Sequence, residues 1–98
     1  MNPEDTMLEW IGDFNPEALL ADGFNKAIIG MCERFGHSPV VAYDYSTCIA
    51  ILMRRDAMTY EEAEEYFSFN VIGAYMGEGT PVFIHAYKHP PASSWLGL

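Results

Sequence analysis

The chain predicts a small α+β layer fold: a three-stranded sheet in β-β-α-α-β order, two helices packed on it, and short helical segments ahead of it. Three observations predict this. Residues 27–34, 40–43 and 82–87 are apolar runs of strand length. Two stretches, from Tyr45 to about Arg55 and from Met58 to Met76, carry helical spacing behind clear start signals. Gly, Pro, Asn and Asp punctuate the boundaries.

The N-terminal segment holds two short helical signals. Thr6, with Glu9 three residues on, can start one turn over residues 6–11. Asn15-Pro16-Glu17 offers an N-cap, a first-turn proline and an acidic residue for a second. Leu8, Trp10, Ile11, Phe14, Leu19 and Leu20 in these pieces need an apolar partner. The outer side of the long helix, or an open face of the sheet, would supply it.

Asp22-Gly23-Phe24-Asn25 reads as a turn. The first strand, residues 27–34, is the longest of the three and apolar on both faces, which predicts the central position. Gly30 within it predicts a bulge or a close approach. Residues 36–39 break the chain, and 40–43 return as the hairpin partner. Asp44 is an N-cap for a helix whose inner face is Tyr45, Cys48, Ile49 and Leu52.

The stretch from Thr59 to Met76 is the most informative. Thr59-Tyr60-Glu61-Glu62 is a capping box, and both glutamates favour the positive end of the helix dipole. At 100° per residue, Ala63, Phe67, Asn70, Val71 and Ala74 form the core stripe. Phe69, Ile72 and Met76 fall on the opposite side, so either the N-terminal segment or a second chain should cover them. Gly77-Glu78-Gly79 ends the helix through a left-handed residue. Pro81 opens the third strand, where a missing donor is tolerated. Residues 1–87 form one domain, and the Pro- and Ser-containing residues 88–98 read as a flexible tail.

Composition excludes several function classes. Half of the 98 residues are apolar, which argues against a disordered chain. No apolar run reaches the ~20 residues of a membrane span, and the acidic N-terminus lacks the basic region of a signal peptide. A cytoplasmic protein is the expectation. The net charge is −9, and six acidic residues precede the first basic one, Lys26. Direct binding to nucleic acid is not expected, because phosphate contacts need a basic patch and Arg54-Arg55 is too small.

No motif predicts catalysis, a cofactor or a metal. His37, His85 and His89 lack the paired spacing of a zinc site. Cys32 and Cys48 lie in apolar patterns and read as buried, reduced thiols. Gly77 to Thr80 follows a helix, whereas a phosphate loop precedes one. Asn70, the polar residue on the core stripe, needs a partner such as the turn at Asp22-Gly23.

Ala21-Asp22-Gly23-Phe24, Ala27 to Gly30, Ala42-Tyr43-Asp44, the Thr59 to Asn70 pattern and Gly77-Glu78 with Thr80-Pro81 together resemble a family of small uncharacterised proteins of bacteria, prophages and tailed phages. The resemblance spans roughly residues 20 to 84, and the long-helix pattern is its specific part. Asn25-Lys26 departs from the paired acidic residues common there, and the Pro/Trp tail is particular to this chain. The resemblance implies a phage or prophage accessory protein acting in the bacterial cytoplasm, and it implies no mechanism.

The expected function is a non-enzymatic protein-interaction module that modulates a host protein, with a homodimer as a further possibility. The partner surface would be acidic Glu61, Glu64 and Glu65 beside apolar Phe69, Ile72 and Met76. The alternative is a small-ligand-binding domain or minor enzyme with a pocket near Asp22, Asn70 and Thr80.

Overall fold

The tripeptide Asn-Pro-Glu occurs twice, at residues 2–4 and 15–17, and its two copies do opposite things. In the computed structural model, which describes residues 2–74 and 76–87, the first copy starts helix α1, Pro3–Phe14. The Asn2 side chain accepts from the Asp5 N–H at 2.9 Å, Pro3 takes the first turn, and Glu4 and Asp5 lie at the dipole's positive end. Thr6 therefore lies inside the helix and not at its cap. The second copy ends the helix instead. Asn15 donates its backbone N–H to the Ile11 carbonyl, and its amide Nδ2 to the Pro39 carbonyl at 2.8 Å. Its Oδ1 accepts from the Glu17 N–H. With both ends of its amide committed, Asn15 anchors a turn to the loop before the second strand. The expected second helical turn does not form. Where two marginal turns were expected, one 12-residue helix stands.

Strands β1 (Ile28–Cys32) and β2 (Val40–Asp44) form an antiparallel hairpin with a bulge between Ile28 and Gly30. Gly30 has φ 153°, a value its missing Cβ permits. Strand β3, Val82–Ile84, is shorter than residues 82–87 suggested, and it pairs parallel to β2. The order is β1-β2-β3, so β2 is central and β1 is an edge. The expectation of a central β1 was wrong. Val41, Ala42 and Tyr43 are buried on both faces, as a central strand requires, whereas Ile29 of β1 is 57% exposed. Apolar residues on both faces of β1 mark an edge strand with uncovered apolar surface.

The parallel β2–β3 pairing needs a crossover, and two helices supply it. Helix α2, Tyr45–Arg55, is capped by Asp44, whose carboxylate accepts from the Thr47 N–H at 3.0 Å and its hydroxyl at 2.6 Å. It buries Cys48, Ile49 and Leu52. Helix α3, Tyr60–Phe67, opens with the expected capping box: the Glu62 N–H donates to Thr59 Oγ1 at 3.2 Å, and the Thr59 N–H to Glu62 Oε1 at 2.9 Å.

Phe67 is the centre of the core. It is fully buried, and the rings of Phe24, Tyr45 and Phe83 meet it edge-on at centroid distances of 5.3, 5.7 and 5.1 Å. Tyr43 lies in the same cluster, and its phenol oxygen accepts from the Ala21 N–H at 2.7 Å. Helix α1 joins the cluster through Ile11, with Met7 and Leu8 packed beside it.

After Phe67 the helix widens into a π turn, Ser68–Ile72. The Gly73 N–H reaches back five residues to the Ser68 carbonyl at 2.9 Å. Asn70 Nδ2 donates to the Tyr66 carbonyl at 3.0 Å, the back-bonding by which Asn competes with the regular ladder. A wider turn shifts the phase of later residues, so the 100° stripe holds for Ala63 and Phe67, in part for Val71, which packs against the core, and fails at Asn70 and Ala74. Val71 is half-buried, while Asn70 and Ala74 are exposed. The expected buried Asn70 bonded to the Asp22-Gly23 turn is therefore replaced by a surface residue bonded to its own helix. The flexible tail expected over residues 88–98, including His89, lies outside the described residues.

Candidate functional site

The π turn, the loop 19–24 and the start of β3 enclose a cavity of about 280 Å³. Its better-covered walls are Phe24, Val71 and Phe83, and its rim carries Leu19, Leu20, Tyr66 and Met76. The turn at residues 76–80 holds one side. There Gly77 takes φ 96°, Thr80 Oγ1 donates to the Gly77 carbonyl at 2.7 Å, and the Met76 N–H donates to Thr80 Oγ1 at 2.8 Å. The Leu19 N–H donates to the Gly79 carbonyl at 3.0 Å and ties the opposite loop to that turn.

Asp22, Asn70 and Thr80 all line this one cavity, from three separate parts of the chain. Their chemistry differs. The Thr80 hydroxyl spends both of its roles on its own turn. Asn70 uses its Nδ2 on Tyr66, while its Oδ1 and the Asp22 carboxylate accept no hydrogen bond from the described residues.

Arg55 also borders the cavity, a position that little in the chain's local pattern foretells. Its guanidinium lies 5.3 Å from the Phe24 ring centroid, donates to the Gly23 carbonyl at 3.3 Å and pairs with Asp56 at 3.2 Å. The signal was its place in the last turn of α2, where a cation suits the helix dipole. It holds the 22–24 turn to the helix end.

The predicted partner surface divides. Glu61 and Glu65 are exposed on α3. Glu64 is half-buried and accepts from the Tyr45 hydroxyl at 3.2 Å, so it does not simply face solvent. Burial first, and then the bond to Glu64, raises the Tyr45 phenol above its ordinary pKa. Phe69 is 76% exposed, Ile72 43% and Met76 71%. Met76 borders the cavity, whereas Phe69 and Ile72 stand on the π turn outside it. Helix α1 packs through Ile11 onto the core and leaves these three side chains open, so the N-terminal segment does not cover them.

The cysteines also divide. Cys48 is fully buried, and that burial, with the nearby Asp44 charge adding to it, pushes its thiol up to about 12. Cys32, expected to be buried, is exposed, because it ends an edge strand. Arg34 and His37 share a hollow with it, where the guanidinium Nη2 donates to His37 Nε2 at 3.0 Å. Among the described residues no helix is long and apolar enough to cross a membrane. No protein-family model, curated protein or solved structure matches the chain.

Proposed function

We propose that the protein is a non-enzymatic interaction module, a phage or prophage accessory protein that modulates a host protein in the bacterial cytoplasm. Its working surface is the acidic face of α3 together with the apolar side chains beyond it. The observation that carries this reading is the exposure of Phe69, Ile72 and Met76 on one short segment, in a chain that buries Phe67 beside them completely. Such an apolar patch with acidic neighbours is the usual mark of a contact surface. A second copy of the chain is the other candidate for the same patch.

A small-ligand site is the weaker reading. The cavity's 280 Å³ falls below the ~300–1,000 Å³ of ordinary ligand pockets. Thr80 and Arg55 are already committed to internal bonds.

The test begins with recovery of the partner from host lysate and its identification by mass spectrometry. Affinity is then measured at low and high salt for the wild type and for Glu61→Lys with Glu65→Lys. Glu64 is left intact because it supports Tyr45. Exposed charges are screened within about 8–10 Å at physiological ionic strength, so affinity should fall with salt and with charge reversal, mostly through the association rate. Affinity indifferent to both would remove the acidic face from the mechanism.

A further inference from the structure

We infer that the cavity between the 19–24 loop, the π turn and β3 is the anchor hole for a basic amphipathic segment of the partner, which inserts one bulky apolar side chain. This inference rests on the interaction reading above and names the chemistry of its partner.

Three features of the cavity lead to it. The first is size. About 280 Å³ holds a side chain more readily than a cofactor. The walls are apolar at Phe24, Val71 and Phe83, and Leu19, Leu20 and Met76 extend that surface outward at 37%, 40% and 71% exposure. An apolar floor, extended outward by Leu19, Leu20 and Met76 within a mixed rim, suits a buried anchor surrounded by flatter contacts.

The second feature is the state of the backbone. An extended peptide that added a strand would need free N–H and C=O groups along the walls. The N–H groups of Leu19, Ala21, Met76 and Thr80 are all bonded internally, and Pro81 has none. Much of the backbone along these walls is thus committed, which favours recognition through side chains. Helix-in-groove docking, with anchors spaced along one helical face, fits that offer.

The third feature is charge. The rim's uncommitted side-chain polar groups among the described residues are the Asp22 carboxylate, Asn70 Oδ1 and the Tyr66 hydroxyl; all three can accept, and the Asp22 carboxylate carries charge. Arg55, the one cation of the rim among the described residues, is held by Asp56, by the Gly23 carbonyl and over the Phe24 ring. The whole chain carries −9, with fourteen acidic side chains against five basic ones. A partner segment bearing Lys or Arg beside its anchor completes these acceptors, whereas an acidic segment meets repulsion.

The probe is a labelled amphipathic Lys/Leu peptide of about 18 residues, long enough to hold a helix, with one Trp in its apolar face. Fluorescence anisotropy is compared for this peptide, its Glu-for-Lys counterpart and its Trp→Ala version. The protein variants are Ala74→Trp, which fills the cavity from an exposed position, Asp22→Lys, which reverses the rim charge, and Phe69→Ala with Ile72→Ala outside it. Circular dichroism checks each fold, and Asp22→Lys keeps the test decisive if Ala74→Trp perturbs packing.

Saturable binding of the basic peptide is expected. It should weaken roughly tenfold or more in Ala74→Trp, in Asp22→Lys and on loss of the Trp anchor, and the Glu peptide should not bind. Three results overturn the inference: no saturable binding, equal binding of the acidic peptide, or indifference to both cavity variants. Binding lost in the Phe69/Ile72 variant and retained in the cavity variants would leave the interaction reading in place while removing the anchor hole. Sedimentation that shows a dimer dissociated by Ala74→Trp would assign the hole to a second copy and overturn the inference as well.

Discussion

Replacing Phe67 by Ala should cost more stability than any other single change on α3, and the structure supplies the reasons. The side chain is fully buried and three rings meet it edge-on, at 5.3 Å (Phe24), 5.7 Å (Tyr45) and 5.1 Å (Phe83). A Phe→Ala change in a core costs about 3–5 kcal/mol from lost transfer energy and the cavity left behind. Edge-to-face pairs add about 0.5–1.5 kcal/mol each beyond area, and the three rings come from different elements, so the site collapses poorly and the upper half of that range is expected. Phe67→Leu keeps most of the volume and loses the ring contacts, which sets its cost at about 1.5 kcal/mol or more from three pairs at the low end. Thr59→Ala removes a cap at an exposed helix start, where water can replace the lost bond, and should cost about 0.5–2 kcal/mol. The assay is urea denaturation followed by circular dichroism, with the midpoints compared at unchanged m-values. Since domains of this size are stable by about 5–15 kcal/mol, the Phe67→Ala midpoint should drop well below that of Thr59→Ala. A milder effect for Phe67→Ala would refute the placement of the core on this helix face. A Phe67→Leu variant as stable as the wild type would refute the role of the ring cluster.

Ile11→Ala should cost about 2–5 kcal/mol, since α1 is docked through that buried side chain, and Trp10→Ala, at a 44% exposed position, should cost clearly less in thermal unfolding. Alkylation of the native protein at neutral pH should label Cys32 and spare Cys48 until the chain unfolds, read by intact mass and peptide mapping. Cys48 also predicts a pH dependence. Its folded thiol is pushed up to about 12, above the unfolded value of 9.0, so the folded state holds that proton more tightly. Its contribution is complete below the unfolded value and is lost as pH rises from there through the folded one, and the buried Tyr43 phenol, also raised chiefly by burial, acts in the same direction. Denaturation midpoints should therefore fall across the alkaline range, and Cys48→Ala should flatten part of that fall.

The elements with local start and stop chemistry were legible in the sequence. The capping box at Thr59, the Asp44 cap and the Gly30 bulge all follow from a few neighbouring side chains competing for a few backbone groups, whereas the helix expected to run to Gly77 ends at Ile72, and left-handed Gly77 belongs to the turn that follows. The α+β class followed too, because hydrophobic period and element order are properties of the chain itself. Asp22, Asn70 and Thr80 could be named as possible neighbours, though not with the bonds that tie up Thr80.

Tertiary structure decided what depends on partners distant in sequence. The two Asn-Pro-Glu copies are identical, yet only the second reaches the Pro39 carbonyl, and that bond makes it an end instead of a start. The position of β2 between β1 and β3 depends on which edge the returning strand finds, and the apolar pattern of β1 carries no record of that choice. Past Phe67, the π turn breaks the constant angle on which helical-wheel reasoning stands, so Asn70 leaves the core and borders a cavity instead. Arg55 likewise acquires its role only when Phe24 and Gly23 arrive beside the end of α2. Local hydrogen bonding and periodicity are written in neighbouring residues, whereas burial and the shape of a cavity exist only once distant segments have met.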